Sequence, residues 1–260
     1  MKKGKKLYEG KAKIVFATSE KNVVIQHFKD DATAFNNQKK AIIEGKGILN
    51  NRISEHILKS LSEIGIKNHL IKRLNMREQL VELVNIIPIE FIIRNIATGS
   101  LSKRLGIEEG TVLDYPLIEY CLKNDDLGDP IVSREHILNF KWLNTIELNQ
   151  INEQCLRIND FLQGLFRGIG IKLVDFKVEF GKAKSDEKII LADEISPDTC
   201  RLWDQKTDKK LDKDRFRKDL GNVVEAYQEV ARRLGILHEH SNIRPIKFSK
   251  PTAVKIKKSK

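Results

Sequence analysis

Residues Leu173 to Asp204 read LVDFKVEFGKAKSDEKIILADEISPDTCRLWD, and the fold turns on this stretch. Its first part alternates. Asp175, Lys177 and Glu179 fall on one face of a strand, and Phe176, Val178 and Phe180 on the other. Gly181 to Glu187 reads as a hairpin loop and Lys188 to Leu191 as a return strand that runs into Asp193 and Glu194. A charged strand face ordinarily lies in water. The return strand KIILA, however, is apolar on both faces, which puts the carboxylates at its end on the rim of a core. Acids at such a rim point to a metal-nucleotide site. A Pro-Asp turn carrying Arg201, Trp203 and Asp204 closes the stretch.

The chain around it has 260 residues, 40% hydrophobic and 32% charged, enough for one large core or two modest ones and too apolar for wholesale disorder. Its longest apolar run, Ile86 to Ile93, is interrupted by Glu90 and falls well short of the roughly 20 residues of a membrane span. MKKGKK continues as LYEGKAK with no apolar segment, so it is no secretory signal. Cys121, Cys155 and Cys200 stand too far apart for a CxxC motif or a disulfide framework, and a cytoplasmic location fits them. The net charge of +11 is unevenly spread. Residues 1–6 hold four lysines and residues 241–260 seven Lys or Arg, with no acid in either. Taking those eleven from 47 leaves 36 bases against 36 acids. The body is neutral and the charge sits in ends expected to be mobile, which argues against a nucleic-acid-binding face.

From the N-terminus, LYEGKAKIVFAT reads as strand, turn, strand, with KNVVIQHF as a third. Gly10, Lys11 and Lys13 in such a hairpin could lay amides and ammonium groups over a triphosphate, although most lysine-rich turns are merely solvated. DDATAFNNQKKAIIEGKG lacks a period and reads as a long mobile loop. Ile48 to Ile64 carries a helical apolar stripe that ends at Gly65. IKRLNMREQLVELVNIIPIEFIIRN reads as two or three strands. In the last of them Pro88, Glu90, Ile92 and Arg94 share one face, and charges in so apolar a strand need partners, from the fold or from a ligand. Gly99 and Ser100 precede a short helix with Ser100 as its N-cap, an ordinary cap or a phosphate site. DYPLIEYCLKNDDLGDPIV reads as a structured loop. Ser133 to Phe140 and Glu147 to Arg167 read as helices, the second with apolar positions 148, 151, 155, 158, 162 and 166. Asp212 caps a final helix to Leu234, with Phe216, Leu220, Val223, Tyr227 and Val230 inward. His238 and His240 lie in a weakly structured region and make no zinc site.

Taken in order, LYEGKAKIVF, GKGILNNRISEHI, PIEFIIRNIATGSLSKRLGIEEG, LKNDDLGDP, LVDFKVEFG, LADEISPDTCRLWD and DKDRFRKDLG resemble the SAICAR synthetase family, up to about Gly235. The resemblance implies a carbon-nitrogen ligase of purine biosynthesis. Such an enzyme joins carboxyaminoimidazole ribonucleotide (CAIR) to L-aspartate at the expense of ATP, through an acyl phosphate. It further implies that Gly10, Lys11, Ala12 and Lys13 meet the ATP phosphates and that Val81, Leu83 and Ile86 lie in the segment reading adenine. Glu179 and Asp193 would bind magnesium. Arg94, Ser100 and Arg201 would hold the ribonucleotide phosphate, with Asp175 and Lys177 near the ribose and the transferring group and Glu90 near the substrate carboxylate. Asp30 to Lys40 would be a flexible loop over nucleotide and aspartate, and Lys123, Asn124 and Asp125 are candidates to grip aspartate. Glu194 and Asp204 are left as structural partners.

The architecture implied is α+β in two lobes: a smaller antiparallel-sheet ATP clamp over residues 1–84, a larger substrate- and metal-binding lobe over 85–240, and a basic tail over 241–260. ATP, CAIR and L-aspartate are the expected partners, in a homodimer, without specific nucleic acid or a membrane. Two other readings remain: a different ATP-dependent phosphotransferase, and a nucleic-acid binder acting through the basic ends.

Overall fold

Alternation and turn residues divide the chain into two antiparallel sheets that meet near residue 83. The computed structural model describes residues 2–34 and 38–237, so the tail, His238 and His240 lie outside the described residues. In the first sheet β1 (Lys6–Glu9), β2 (Lys13–Ala17), β3 (Val23–Phe28), β7 (Glu78–Glu82) and β6 (Leu70–Arg73) are neighbours in that order. Between β3 and β6 run β4 (Asp31–Ala34), β5 (Lys39–Ile42) and α1 (Lys46–Glu63). The second sheet has the order β10 (Ile131–Val132), β9 (Val112–Leu122), β8 (Val84–Ile96), β11 (Ile171–Ala183), β12 (Ile189–Ala192), and β13 (Cys200–Asp204) also pairs with β11. The helices α2 (Ser100–Leu105), α3 (Arg134–Asn139), α4 (Thr145–Gly168), α5 (Asp214–Arg217) and α6 (Val223–Arg233) complete the chain. Among the described residues no helix is long and apolar enough to cross a membrane.

β11 is the strand most fully surrounded. One edge pairs with β8 from Asp175–Arg94 to Ala183–Val84. Its other edge takes β13 at residues 171–176 and β12 at residues 179–182. The apolar alternation decides which face turns inward. Phe176, Val178 and Phe180 join Ile87, Ile89, Phe91 and Ile93 of β8 in the main core, with Phe91 edge-on to Phe180 at 5.6 Å. Against this face lies α4, whose stripe Leu148, Ile151, Cys155, Ile158, Leu162 and Phe166 is buried throughout. Asn144 and Glu147 form its capping box, so the long helix starts where its side chains can satisfy the first amides. Gly65, in left-handed conformation at φ 82°, follows the end of α1.

Several expectations are corrected. Asp31–Ala34 and Lys39–Ile42 pair as the antiparallel strands β4 and β5, Asp31 with Ile42 and Ala34 with Lys39, where a long loop is expected. Residues 112–122 are a strand, β9. Its register slips between Arg94–Leu117 and Ile96–Val112, and Pro116 occupies the irregular stretch where a missing N–H is tolerated. The final helix is broken: Asp219, Gly221 and Asn222 are left-handed between α5 and α6, and Leu220 is exposed. The basic N-terminus is folded on. Gly4 donates to the Ala17 carbonyl at 2.8 Å, and Lys3 pairs with Glu78.

Gly181 lies inside β11 instead of opening the hairpin loop, flanked in register by Ile190 and Ile86. A Cβ there would approach the Val84 side chain to 2.7 Å. Gly164, by contrast, is an exposed helical glycine with nothing within 4 Å of its Cβ position. Gly181→Ala is therefore expected to destabilise by about 1–3 kcal/mol, and Gly164→Ala to stabilise by up to about 1 kcal/mol. Urea unfolding midpoints moving in opposite directions check the pair.

Candidate active site

Burying charged side chains is costly unless opposite charges reach them. On the polar face of β11, Asp175 and Glu179 are each 3% exposed, so this face is not in water. Lys177 bonds Glu90 of β8 and reaches Glu179 at 3.2 Å. Lys123, just past β9, bonds Glu179 from the other side. At the end of β12 the chain turns through Asp193 at φ 60°, a left-handed conformation that aspartate tolerates better than most residues. Lys13 of β2 bonds Asp193 and lies 2.9 Å from Glu194. Three lysines from separate parts of the chain thus converge on Glu90, Glu179, Asp193 and Glu194. Burial alone would raise the pKa of Asp193, but Lys13, Lys123 and Lys177 outweigh it and hold the carboxyl low. Burial wins at Glu90, whose pKa is raised despite Lys177.

The turn feeding Lys13 into this cluster is held by the Gly10 amide, which donates to the Lys13 carbonyl at 2.9 Å, and by the Ala12 carbonyl, which accepts from Lys29 at 2.8 Å. Lys11 reaches Asp125 at 2.6 Å, and Asn124 caps the short turn that carries it. Residues 123–125 are therefore tied to both the lysine hairpin and Glu179. Val81 is buried in β7, while Ile86 is 40% exposed at the start of β8. Between them Leu83 is bonded on both sides, its amide to Asn22 and its carbonyl to Lys184.

At the other end of the polar face, Asp175 Oδ2 accepts from Arg94 at 2.8 Å and from Arg201 of β13 at 2.7 Å. Arg94 is 2% exposed, and its remaining nitrogens bond Glu119 at 2.6 Å and Ser100 Oγ at 3.0 Å. Ser100 is the first residue of α2 and not its cap, a correction. The cap position belongs to Gly99, at φ 60° and ψ −123°, where a Cβ would come within 2.7 Å of Arg201 Nη2. A cavity of about 180 Å³ opens here, lined in part by Arg94, Ser100, Asp175, Lys177, Arg201 and Arg217. A larger cleft of about 480 Å³ lies elsewhere, against α4 and the β11–β12 turn, and is lined by none of these residues.

The charged site residues thus form two adjoining groups, acids with lysines and arginines with Asp175, joined through Lys177, whereas Val81, Leu83 and Ile86 have no side-chain bond to either. Sequence reasoning missed Glu119, Asp214 and Arg217, and set Glu194 aside as a turn residue although it shares Lys13 with Asp193. A buried arginine demands carboxylate partners, which is the signal that could have led to Glu119 and Asp214. Reading β9 as a loop hid the first. Asp204 does play the structural part expected, bonding Arg233 at 2.7 Å and the amides of Lys206 and Thr207.

Comparison with known proteins bears on the family and the fold. The family described as SAICAR synthetase matches residues 6–234. A phosphoribosylaminoimidazole-succinocarboxamide synthase of Pelagibacter ubique (strain HTCC1062) is 69% identical over 260 residues, 99% of this chain and 100% of that protein. Among solved structures, the phosphoribosylaminoimidazole-succinocarboxamide synthase of Ehrlichia chaffeensis superposes with a TM-score of 0.88 at 58% identity, covering 90% of this chain and 100% of that one. A SAICAR synthetase in complex with ADP does so at 0.84 and 45% identity, covering 87% and 96%. The chain is therefore an α+β enzyme of the ligase class. It belongs to the SAICAR synthetase family.

One buried residue beside the acid cluster is tied through its backbone to both sheets. His69 donates its amide to Leu191 of β12 at 2.9 Å and accepts the Glu82 amide of β7 at 2.7 Å. Its ring is 4% exposed and lies against the Asp193 backbone. Burial pushes the imidazole down to about 4, with the Lys13 charge adding to the effect and Asp193 opposing it. The unfolded chain takes up this proton near pH 6.5 and the folded chain only near pH 4. Stability from this group is therefore full above pH 6.5 and falls by about 3 kcal/mol as the pH drops through that window. In His69→Gln that part of the decline should vanish, which urea midpoints measured between pH 7 and pH 4 would show.

Proposed function

We propose that the chain joins CAIR and L-aspartate into SAICAR with cleavage of ATP to ADP and phosphate, through an acyl phosphate. The observation that carries this reading is the single strand face Asp175, Lys177, Glu179, which ends in an arginine-lined pocket on one side and a lysine-ringed acid cluster on the other. A phosphate-bearing acceptor suits the first and a nucleotide with its metal the second.

A carboxylate is a poor electrophile. In the first step a carboxylate oxygen of CAIR attacks the γ-phosphorus of ATP, and ADP leaves with the bonding electrons. In the second the aspartate amine attacks the acyl carbon, phosphate departs with the C–O electrons, and the amine loses a proton to give the amide. Such chemistry needs positioning and charge neutralisation more than covalent help from protein. Lys11 and Lys13, on the turn of Gly10 and Ala12, would neutralise the ATP phosphates, and the Val81 to Ile86 segment, with Leu83, would lie along adenine. Lys177 stands between the two groups, where the phosphoryl group would pass, with Glu90 toward the substrate carboxylate. Arg94, Ser100 and Arg201 would hold the ribonucleotide phosphate and Asp175 would face the ribose. Lys123 to Asp125 remain candidates for aspartate.

Glu179 and Asp193 fit magnesium by donor chemistry, since both offer only oxygen. Among the described residues no group of three or more His, Cys, Asp or Glu side chains converges as a metal centre. Magnesium keeps waters and takes phosphate oxygens, so two protein carboxylates would suffice to hold it there. When bound, magnesium would neutralise charge on the transferring phosphoryl group.

The test is ADP release with ATP, magnesium and CAIR, with and without L-aspartate. Release is expected to depend on aspartate, and release that ignores it, or accepts other amino acids equally well, would refute the assignment. Asp193→Asn keeps a residue tolerant of left-handed backbone and should lower turnover roughly a hundredfold or more, because several kcal/mol of charge stabilisation are lost. Near-normal turnover at saturating magnesium would remove Asp193 from the metal site.

A further inference from the structure

The arginine pocket is lined by a cation, Arg217, and backed by a carboxylate, Asp214, that the reading above leaves without a role. Asp214, the first residue of α5, is 2% exposed. Its Oδ2 accepts from Arg201 Nε at 3.0 Å and its Oδ1 from Arg217 Nη1 at 2.6 Å. One carboxylate thus holds two guanidinium groups side by side, and both line the 180 Å³ cavity. Asp214 is itself fixed, its amide donating to Asp212 at 2.7 Å and its carbonyl accepting the Lys218 amide at 2.8 Å. Burial would raise the Asp214 pKa, but Arg201 and Arg217 outweigh it and hold the carboxyl ionised.

The free donors decide what these arginines can do. All three nitrogens of Arg94 are engaged, by Glu119, Asp175 and Ser100. Arg201 uses Nε and Nη1, and Arg217 uses Nη1. Among the described residues, Arg201 Nη2 and the Nε and Nη2 of Arg217 have no hydrogen-bond partner. Arg201 Nη2 lies over Gly99, where the absent side chain leaves it room. A phosphate monoester carries about −1.5 to −2 charge at neutral pH and three acceptor oxygens, and paired arginines match such a group better than a single one.

We propose that Arg217 binds the substrate phosphate together with Arg201, and that Asp214 is the positioning residue that ties the two into one clamp for a phosphate monoester. This rests on the ribonucleotide reading given above and adds two residues to it. Arg94 then acts chiefly to neutralise Asp175 and Glu119 and to orient Ser100. Asp214 acts through the arginines and touches no substrate.

The experiment compares two stable probes, 5-aminoimidazole-4-carboxamide ribonucleotide and its 5′-dephosphorylated riboside, by calorimetric titration of the full chain. The wild type should prefer the ribonucleotide. Arg217→Ala should shrink that preference by roughly tenfold or more while leaving riboside affinity unchanged, since only a charge-assisted contact to phosphate is lost. Arg217→Lys should restore part of it. Asp214→Asn should shrink it similarly, with ADP binding unaltered. Equal losses for both probes, or no loss for either, would overturn the inference. Should Asp214→Asn fail to fold, the two Arg217 variants decide alone, because that side chain is 32% exposed. A wild type without preference for the ribonucleotide would overturn the substrate reading, and the clamp with it, whereas a preference that survives Arg217→Ala overturns the clamp alone.

Discussion

A strand that buries carboxylates on its polar face can stand only if the chain brings opposite charges to it. Asp175 and Glu179 impose that condition here, because removing one partner of a buried ion pair costs about 3–5 kcal/mol. The answering charges come from widely separated places. Arg94 lies on β8, Arg201 on β13 and Lys123 after β9. Lys13 extends the same logic from the first sheet, pairing with Asp193 across 180 positions of sequence. The charge pairs are thus long-range contacts that draw β2 against the end of β12. Apolar packing alone would leave the relative placement of these edges loose. Directional ion pairs, with His69 hydrogen-bonded to both Leu191 and Glu82, narrow it.

Two backbone conformations accompany this arrangement. Asp193 is left-handed at the point where its carboxylate meets Lys13, and Gly99 occupies a region open in practice only to glycine where Arg201 crosses it. Unusual backbone of this kind costs on the order of 1–3 kcal/mol and persists where surroundings over-determine it. Both positions are held by neighbours on several sides, and both stand where a charged group must be aimed. The pairing of β8 with β11 stays regular except for the register shift between Glu179 and Gly181.

Much of the fold could be read before the structure because periodicity reports burial directly. The α4 stripe is buried at all six expected positions, and Phe176, Val178 and Phe180 face the core as their alternation requires. Failures came where a local signal competed with a distant one. Pro116 and Asp114 suggested a loop, yet pairing with β8 carries β9 through both. Gly181 looked like a turn residue, although its smallness serves close approach to Val84 inside the strand. The last helix kept its apolar stripe across Leu220, but left-handed Asp219, Gly221 and Asn222 break it. In the site, residues on alternating strands were legible as candidates. Glu119 and Asp214 were not, and Glu194 was set aside as a structural partner, because what marks them is a cation on another element.

The polar face of β11 also sets two different charge environments along one strand. Residues two apart on a strand share a face about 7 Å apart, so Asp175, Lys177 and Glu179 form a short row of alternating sign. Register with β8 sets Arg94 against Asp175 and Glu90 against Glu179. One end of the row is therefore surrounded by guanidinium groups and the other gathers carboxylates, with Lys177 between. A slip of one residue would turn Phe176 and Val178 into the site and the charges into the core. The same register is thus demanded twice, by hydrophobic packing on one face and by charge pairing on the other. A substitution that disturbs either face should disturb both, which couples the geometry of the two charged groups to the stability of the fold.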